Sequence, residues 1–182
     1  MDPHDGPGTA AAAAILIRGP QLVLRALRPE EIEDQWQAMV TADPMTIAEL
    51  PDEASFKARL RRSGHLVDGW LDLAIDLDGA PAGRIQTFVP AGRALPPGTF
   101  DVGIGLREDM RGRGYGREAL MLLTGWLFEH AAAQVVEAPT DPANVAMRTV
   151  FDRAGWALAG SVTEHGRQWL VYRITRPEWE GR

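Results

Sequence analysis

The chain has no cysteine among its 182 residues. Disulfide staples, thiolate zinc sites and a covalent thioester on a cysteine are all excluded, because each needs a sulfur ligand or nucleophile. Histidine is scarce: His4, His65, His130 and His165 are scattered, with no pair at the i, i+3 or i, i+4 spacing that sets two ligands on one helix face. No metal site is expected. Lys57 stands alone against arginine at every other basic position, so arginine counts reflect a general bias as readily as a function. No long hydrophobic run is present either. The apolar stretch after residue 14 is too short to span a bilayer, and the segment before it lacks the basic region of a secretory signal. A cytoplasmic protein without a membrane partner is the expectation. A basic balance is also missing: the formal net charge is −6, which argues against nucleic acid as the main partner and suits a cationic substrate such as an amine.

A hydrophobic content of 45% over this length fits one well-packed domain. Residues 1–14, rich in Pro, Gly and Ala, read as a disordered tail, and residues 15–182 as the domain. No internal repeat is visible.

The periodicities alternate between strand and helix. QLVLRALR (21–28) reads as a strand, followed by a helix over 29–42 with acidic residues in its first turn and a second helix over 52–65. Residues 70–79 and 81–90 predict a hairpin turning near Asp78-Gly79. TFDVGIGLRE (99–108) is a strand, a helix runs from about Tyr115 to Ala131, and residues 134–140 form a short strand. Asp141-Pro142 supplies an N-cap and a first-turn proline to a helix whose Met147, Val150, Phe151 and Ala154 share a face, with Gly155 just past its end. Residues 156–162 and 168–175 close the chain as a second hairpin. Together these predict a mixed α/β (α+β) domain with a mostly antiparallel sheet.

The connection RGRGYG (111–116) lies between a strand and a helix. That order leaves helix N-terminal N–H groups facing whatever lies beyond the strand end, and they favour an anion. Gly112, Gly114 and Gly116 let backbone approach it, Arg111 and Arg113 add charge, and a diphosphate is the natural guest. Arg117-Glu118 stands where a P-loop needs Lys-Ser/Thr, and the spacing G-x-G-x-G late in the chain is not the dinucleotide fingerprint. A glycine turn without ligand stays open on this evidence. In the preceding strand Phe100, Val102, Ile104 and Leu106 take one face, and Asp101, Gly103, Gly105 and Arg107 the other. A carboxylate followed by two missing side chains reads as a groove, or as a solvated surface.

Arg111-Gly112-Arg113-Gly114-Tyr115-Gly116 resembles the (Q/R)-x-x-G-x-(G/A) signature of the GNAT superfamily of acyl-CoA-dependent N-acetyltransferases. Asn144, eleven residues before Gly155-Trp156, is similar to the family's N-x-x-(S)-x-(R)…G-(F/W) helix. The stretches LVLRALRPEEI, TDPANVAMRTVFDRAGW and VYRITRPEW look more like the RimJ/RimL-type branch, and the resemblance runs from about Gln21 to Trp179.

The resemblance implies a central sheet splayed in the middle with helices on both faces. It implies acetyl-CoA as cosubstrate: main-chain groups of Ile104 and Leu106 along pantetheine, residues Arg111, Gly112, Arg113, Gly114, Tyr115 and Gly116 on the diphosphate, and Asn144 toward the cofactor arm. It implies direct attack by a neutral amine, a protein N-terminal α-amine or a small molecule, on the thioester, with a backbone N–H at the splay to stabilise the oxyanion. Asp101 stands where relatives often place a glutamate base, and, being shorter, would act through water. Phe151 replaces the tyrosine that often serves as general acid and Met147 the frequent serine. Tyr172, His165 or water is then left to protonate the thiolate, or no dedicated acid is needed. The missing tyrosine keeps a non-catalytic acyl-CoA-binding module as the alternative reading, with a nucleotide-phosphate binder as a third. Asp43, Glu49, Asp52 and Glu53, with Trp36, Trp70 and Trp169, are candidates for an acceptor site or simply solvated acids and core. A homodimer is left open.

Overall fold

The computed structural model describes residues 13–42, 50–89, 95–164 and 166–182. Residues 1–12, nearly all of the expected tail, lie outside the described residues. Eight strands form one sheet: β1 (Ile17–Arg18), β2 (Val23–Arg25), β3 (Leu71–Leu77), β4 (Ala80–Phe88), β5 (Thr99–Leu106), β6 (Val135–Thr140), β7 (Ala157–Glu164) and β8 (Arg167–Thr175). Their spatial order is β1-β2-β3-β4-β5-β6-β8-β7. Among the described residues only β5 and β6 pair in parallel, as expected where a helix carries the chain back over the sheet.

The helices are α1 (Glu31–Val40), α2 (Glu53–Leu60), α3 (Tyr115–His130), α4 (Val145–Arg153) and a short α5 (Arg176–Glu180). The sheet register sorts them by face. Leu73, Ile75, Ile85, Phe100, Val102, Val136, Tyr172 and Ile174 pack with Leu120, Leu123 and Leu127 of α3 and Phe151 of α4 in the main core. On the opposite face a smaller core joins Ala74 to Ile32 and Trp36 of α1 and Phe56 and Leu60 of α2.

Several expectations hold and some need correcting. The β3–β4 turn falls on Asp78 and Gly79, whose φ values of 52° and 89° are those of the tight hairpin turn that Asp-Gly favours. The first strand is shorter than expected, three residues instead of eight, and a two-residue strand precedes it. The helix over 52–65 ends at Leu60, because Arg62 and Ser63 close 3₁₀-type bonds to Arg59 and Leu60 carbonyls. Asp141-Pro142 does not open α4. Asp141 accepts from the Ala143 N–H at 2.8 Å and from Arg167 at 2.8 Å, making a turn one step before the helix, and Asn144 is the N-cap, its Oδ1 accepting from the Met147 N–H at 3.0 Å.

Candidate active site

β5 and β6 pair through three rungs only, Thr99↔Val135, Phe100↔Val136 and Asp101↔Glu137. Beyond Asp101, β5 continues to Leu106 bonded to β4 alone, and beyond Glu137, β6 continues to Thr140 bonded to β8 alone. The sheet therefore opens into a cleft. The Arg107 N–H bonds the Ala82 carbonyl at 2.9 Å. In an antiparallel ladder every second residue shares that side, so Gly103 and Gly105 turn their peptide groups to β4. Ile104 and Leu106 turn theirs toward the cleft, where no strand receives them. Main-chain donors and acceptors at Ile104 and Leu106, the two positions expected to line pantetheine, thus face an opening suited to an extended amide chain.

The loop 111–116 closes the end of that cleft. Gly112 and Gly114 have φ of 73° and 90°, and a Cβ at either would meet nothing within 4 Å, so glycine is needed there for conformation and the space above is open. Gly116 packs nearer, with its missing Cβ 3.5 Å from Leu106 Cδ1. The first bond of α3 runs from the Glu118 N–H to the Gly114 carbonyl at 3.1 Å. Among the described residues, the N–H groups of 112–117 have no acceptor in the chain. Six consecutive unsatisfied donors at a helix N-terminus make a seat for a diphosphate. Arg111 donates Nε to the Leu106 carbonyl at 3.1 Å, which holds its guanidinium across the mouth of the cleft. Arg113 and Arg117 are exposed beside it. Arg117, on the first turn, is a cation that the motif alone does not single out.

Tyr115, at the first position of α3, packs against the main core, so its backbone and not its ring belongs to the loop's donor row. Asn144 caps α4, which commits its side-chain oxygen and leaves the amide NH2 as the group able to reach a cofactor arm.

Asp101 is 3% exposed and lies on the sheet face opposite the main core, in one cross-strand row with Trp70, Phe88, Glu137 and Arg173. The Thr87 hydroxyl donates to the Asp101 carbonyl at 2.9 Å and fixes the backbone there. Glu137, only 1% exposed, accepts from Arg173 Nε at 2.8 Å. Sequence reasoning passed over Glu137, because its placement beside Asp101 depends on the parallel register and not on any local pattern.

Tyr172 is 4% exposed and stacks on Phe151 with ring centroids 4.7 Å apart, within the main core. It pairs with Ala138 of β6, one strand from the cleft, and lies on the sheet face opposite Asp101. The two candidate catalytic side chains are therefore not brought together; they flank the cleft from opposite faces. His165 lies outside the described residues.

The rest of the Asp101 face is polar and built. Gln86, the register partner of Gly103, covers it: a Cβ on Gly103 would meet Gln86 Nε2 at 3.1 Å, so only Gly105 leaves the groove open. Arg84 donates to Asp72 at 2.5 Å and to Gln86. Burial pulls the Arg84 guanidinium below its ordinary value, against the opposing pull of Asp72. The acidic candidates are otherwise engaged: Asp52 caps α2 by accepting from the Ser55 N–H at 2.8 Å, Glu53 pairs with Lys57 at 2.5 Å, and Asp43 and Glu49 lie outside the described residues. Trp36 belongs to the core under α1 and α2, whereas Trp70 and Trp169 stand on the Asp101 face. Among the described residues no group of three His, Asp or Glu is placed to hold a metal ion, and no helix is long and apolar enough to cross a membrane.

Residues 21–157, well over half of the chain, match the family model described as an acetyltransferase (GNAT) domain. No curated protein matches the chain. Among solved structures, the chain is similar to aminoglycoside acetyltransferase AAC(6′)-Ib in complex with coenzyme A, with a TM-score of 0.72 at 18% identity over 87% of this chain and 96% of that one. A further structure of AAC(6′)-Ib holds coenzyme A and kanamycin. RimJ of Mycobacterium smegmatis in complex with CoA-disulfide superimposes with a TM-score of 0.70 at 19% identity, over 91% and 88% of the two chains. A GNAT-family acetyltransferase of Bacillus anthracis gives 0.72 at 18% identity, over 90% of this chain and all of that one.

Proposed function

The chain belongs to the GNAT acetyltransferase family, and on that premise we propose that it transfers an acetyl group from acetyl-CoA to a primary amine in a ternary complex. The acceptor is a small-molecule amine or a protein N-terminal α-amine, and the branch is RimJ/RimL-like. The observation that carries the reading is the row of free N–H groups at 112–117 at the end of the β5–β6 cleft. It fits a diphosphate, and the cleft-facing peptide groups of Ile104 with the N–H of Leu106, whose carbonyl Arg111 holds, fit the extended amide arm behind it. Acetyl-CoA would supply the activated acyl group as a thioester, and coenzyme A would leave as the free thiol.

The chain's own residues supply the rest. The cleft-facing N–H groups of β5 are fixed donors that a developing oxyanion can use without reorganisation. Asp101 holds a carboxylate at the last paired rung, where it can take a proton from an ammonium through a water. An α-amine needs less of that help than a lysine-type amine, because its ordinary pKa is near 8 and not near 10.4. Phe151 offers no hydroxyl, so Tyr172, water or no dedicated group at all serves the leaving thiolate. Asn144 directs its amide NH2 toward the cofactor arm while its oxygen caps α4.

The aminoglycoside complexes of AAC(6′)-Ib support a small amine and the RimJ likeness a peptide amine, and the acceptor assay separates the two. Incubation with acetyl-CoA and a panel of amines and peptides, following free CoA thiol, is expected to show amine-dependent release. Tight CoA binding with no release across the panel favours the acyl-CoA-binding alternative. Thermal stabilisation by ATP or NAD at least equal to that by CoA contradicts both readings.

A further inference from the structure

The Asp101 face carries a fixed cation that the proposed reaction does not use. Arg59 of α2 donates Nε to Asp72 at 3.0 Å, and its guanidinium carbon lies 4.5 Å from the centroid of Trp70 and 5.2 Å from that of Phe56. Its two terminal NH2 groups have no acceptor among the described residues, and its side chain is 26% exposed. Three contacts thus fix the plane of the guanidinium and leave its outer fork open. Side-chain entropy that a free arginine would lose on binding is already lost here.

The charge around it is uneven in the same sense. Asp72, 2% exposed, is shared between Arg59 and Arg84, so one carboxylate answers two guanidiniums. A cavity of about 90 Å³ opens beside them, lined by Arg59, Arg62, His65, Asp68, Trp70 and Asp72. Arg62 is 3.9 Å from Asp68, which leaves the shared carboxylate of Asp72 as the imbalance. Trp70 stacks on Phe88 at 4.8 Å, and Phe88 is the register partner of Asp101. An aromatic wall therefore runs from the arginine fork to the proposed base across two strand spacings, about 10 Å.

We infer that the acceptor amine carries a carboxylate about 10 Å from its reacting nitrogen, and that Arg59 binds it with its outer NH2 pair while the Trp70–Phe88 wall holds the connecting chain. The inference rests on the proposed acetyl transfer for its placement relative to the amine. It is a specificity role, not a catalytic one.

The test uses ω-aminoalkanoic acids of graded chain length and their matching ω-aminoalkanamides as acceptors. The expected result is a preference for the acid of about tenfold or more in kcat/KM, carried by KM, at chain lengths that span the wall and absent at short ones. Arg59→Gln is expected to erase that preference and leave the amides unaffected, and Arg59→Lys, which keeps the charge beside Asp72, to recover it only in part. Equal use of acid and amide by the wild-type protein overturns the inference, as does a preference that Arg59→Gln leaves intact. An acidic peptide and its amidated twin, run in parallel, tell whether the carboxylate belongs to a peptide. Should no member be acetylated, the transfer reading fails by itself. Binding of the same acids and amides, followed by tryptophan fluorescence, then decides the arginine role: acid-selective binding lost in Arg59→Gln supports it, and equal binding overturns it.

Discussion

Asp101 and Glu137 face each other on the last rung of the parallel pairing, both almost fully buried, immediately before β5 and β6 part. Two carboxylates at one rung repel each other, and the ion pair of Glu137 with Arg173 is one contact that offsets the repulsion. The arrangement sets a carboxylate at the apex of the cleft, which is where the proposed transfer would bring thioester and amine together.

Asp101→Asn keeps the shape and removes the proposed base. Turnover is expected to fall roughly hundredfold or more, with the dissociation constant for CoA unchanged, measured by steady-state kinetics and calorimetry. Unchanged turnover removes Asp101 from the mechanism.

Asn144 separates two roles by choice of substituent. Asn144→Ala removes the α4 cap and is expected to cost about 1 kcal/mol of stability. Asn144→Asp keeps the capping oxygen and loses the amide NH2, so stability should hold while CoA affinity falls. Chemical denaturation and CoA titration of both variants check the pair; if Asn144→Asp binds CoA like the wild type, Asn144 is a cap and nothing more.

Gly83 is a packing requirement and not a ligand site. A Cβ there would stand 2.2 Å from the Gly105 carbonyl oxygen and 2.9 Å from Leu106 Cα, so β4 and β5 would have to part. Gly83→Ala is expected to destabilise by about 3 kcal/mol, the upper part of the overpacking range, in urea unfolding. Gly105→Ala meets open space and is expected to be near neutral in the same assay.

Acid should weaken the packing of α1 on the sheet. Burial pushes the Glu31 carboxyl up, but hydrogen bonds from Arg25 and the Arg28 N–H more than offset it and hold the group below its ordinary value of 4.5. A depressed carboxylate stabilises the fold above its unfolded value, and that contribution is lost as pH falls from about 4.5 through the lower folded value. Thermal melts between neutral pH and that range should show the loss, and Glu31→Gln should flatten it.

Local chemistry was legible where it alone decides the outcome. Asp78-Gly79 makes its turn, and the alternation of β5 sends Phe100 and Val102 to the core. The α5 helix was also readable and was missed: Thr175, Pro177 and Glu178 carry half of a capping box, with Glu178 accepting from the Thr175 N–H at 2.8 Å. The start of α4 was not readable, because Asp141-Pro142 satisfies the local rule and only Arg167, twenty-six positions away, reassigns the aspartate. Glu137 beside Asp101 and Arg59 beside Asp72 were hidden for the same reason. Each is a neighbour made by sheet register and helix docking, which local spacing does not encode.

The central claim is that the cleft and its glycine loop bring acetyl-CoA to an amine for acetyl transfer. The most direct measurement is amine-dependent release of CoA thiol by the wild-type protein and by Asp101→Asn, each with its CoA affinity measured alongside. The expected result is release by the wild type, loss of release in the variant, and equal CoA affinity in both. Equal CoA affinity with no amine-dependent release from the wild-type protein would contradict it.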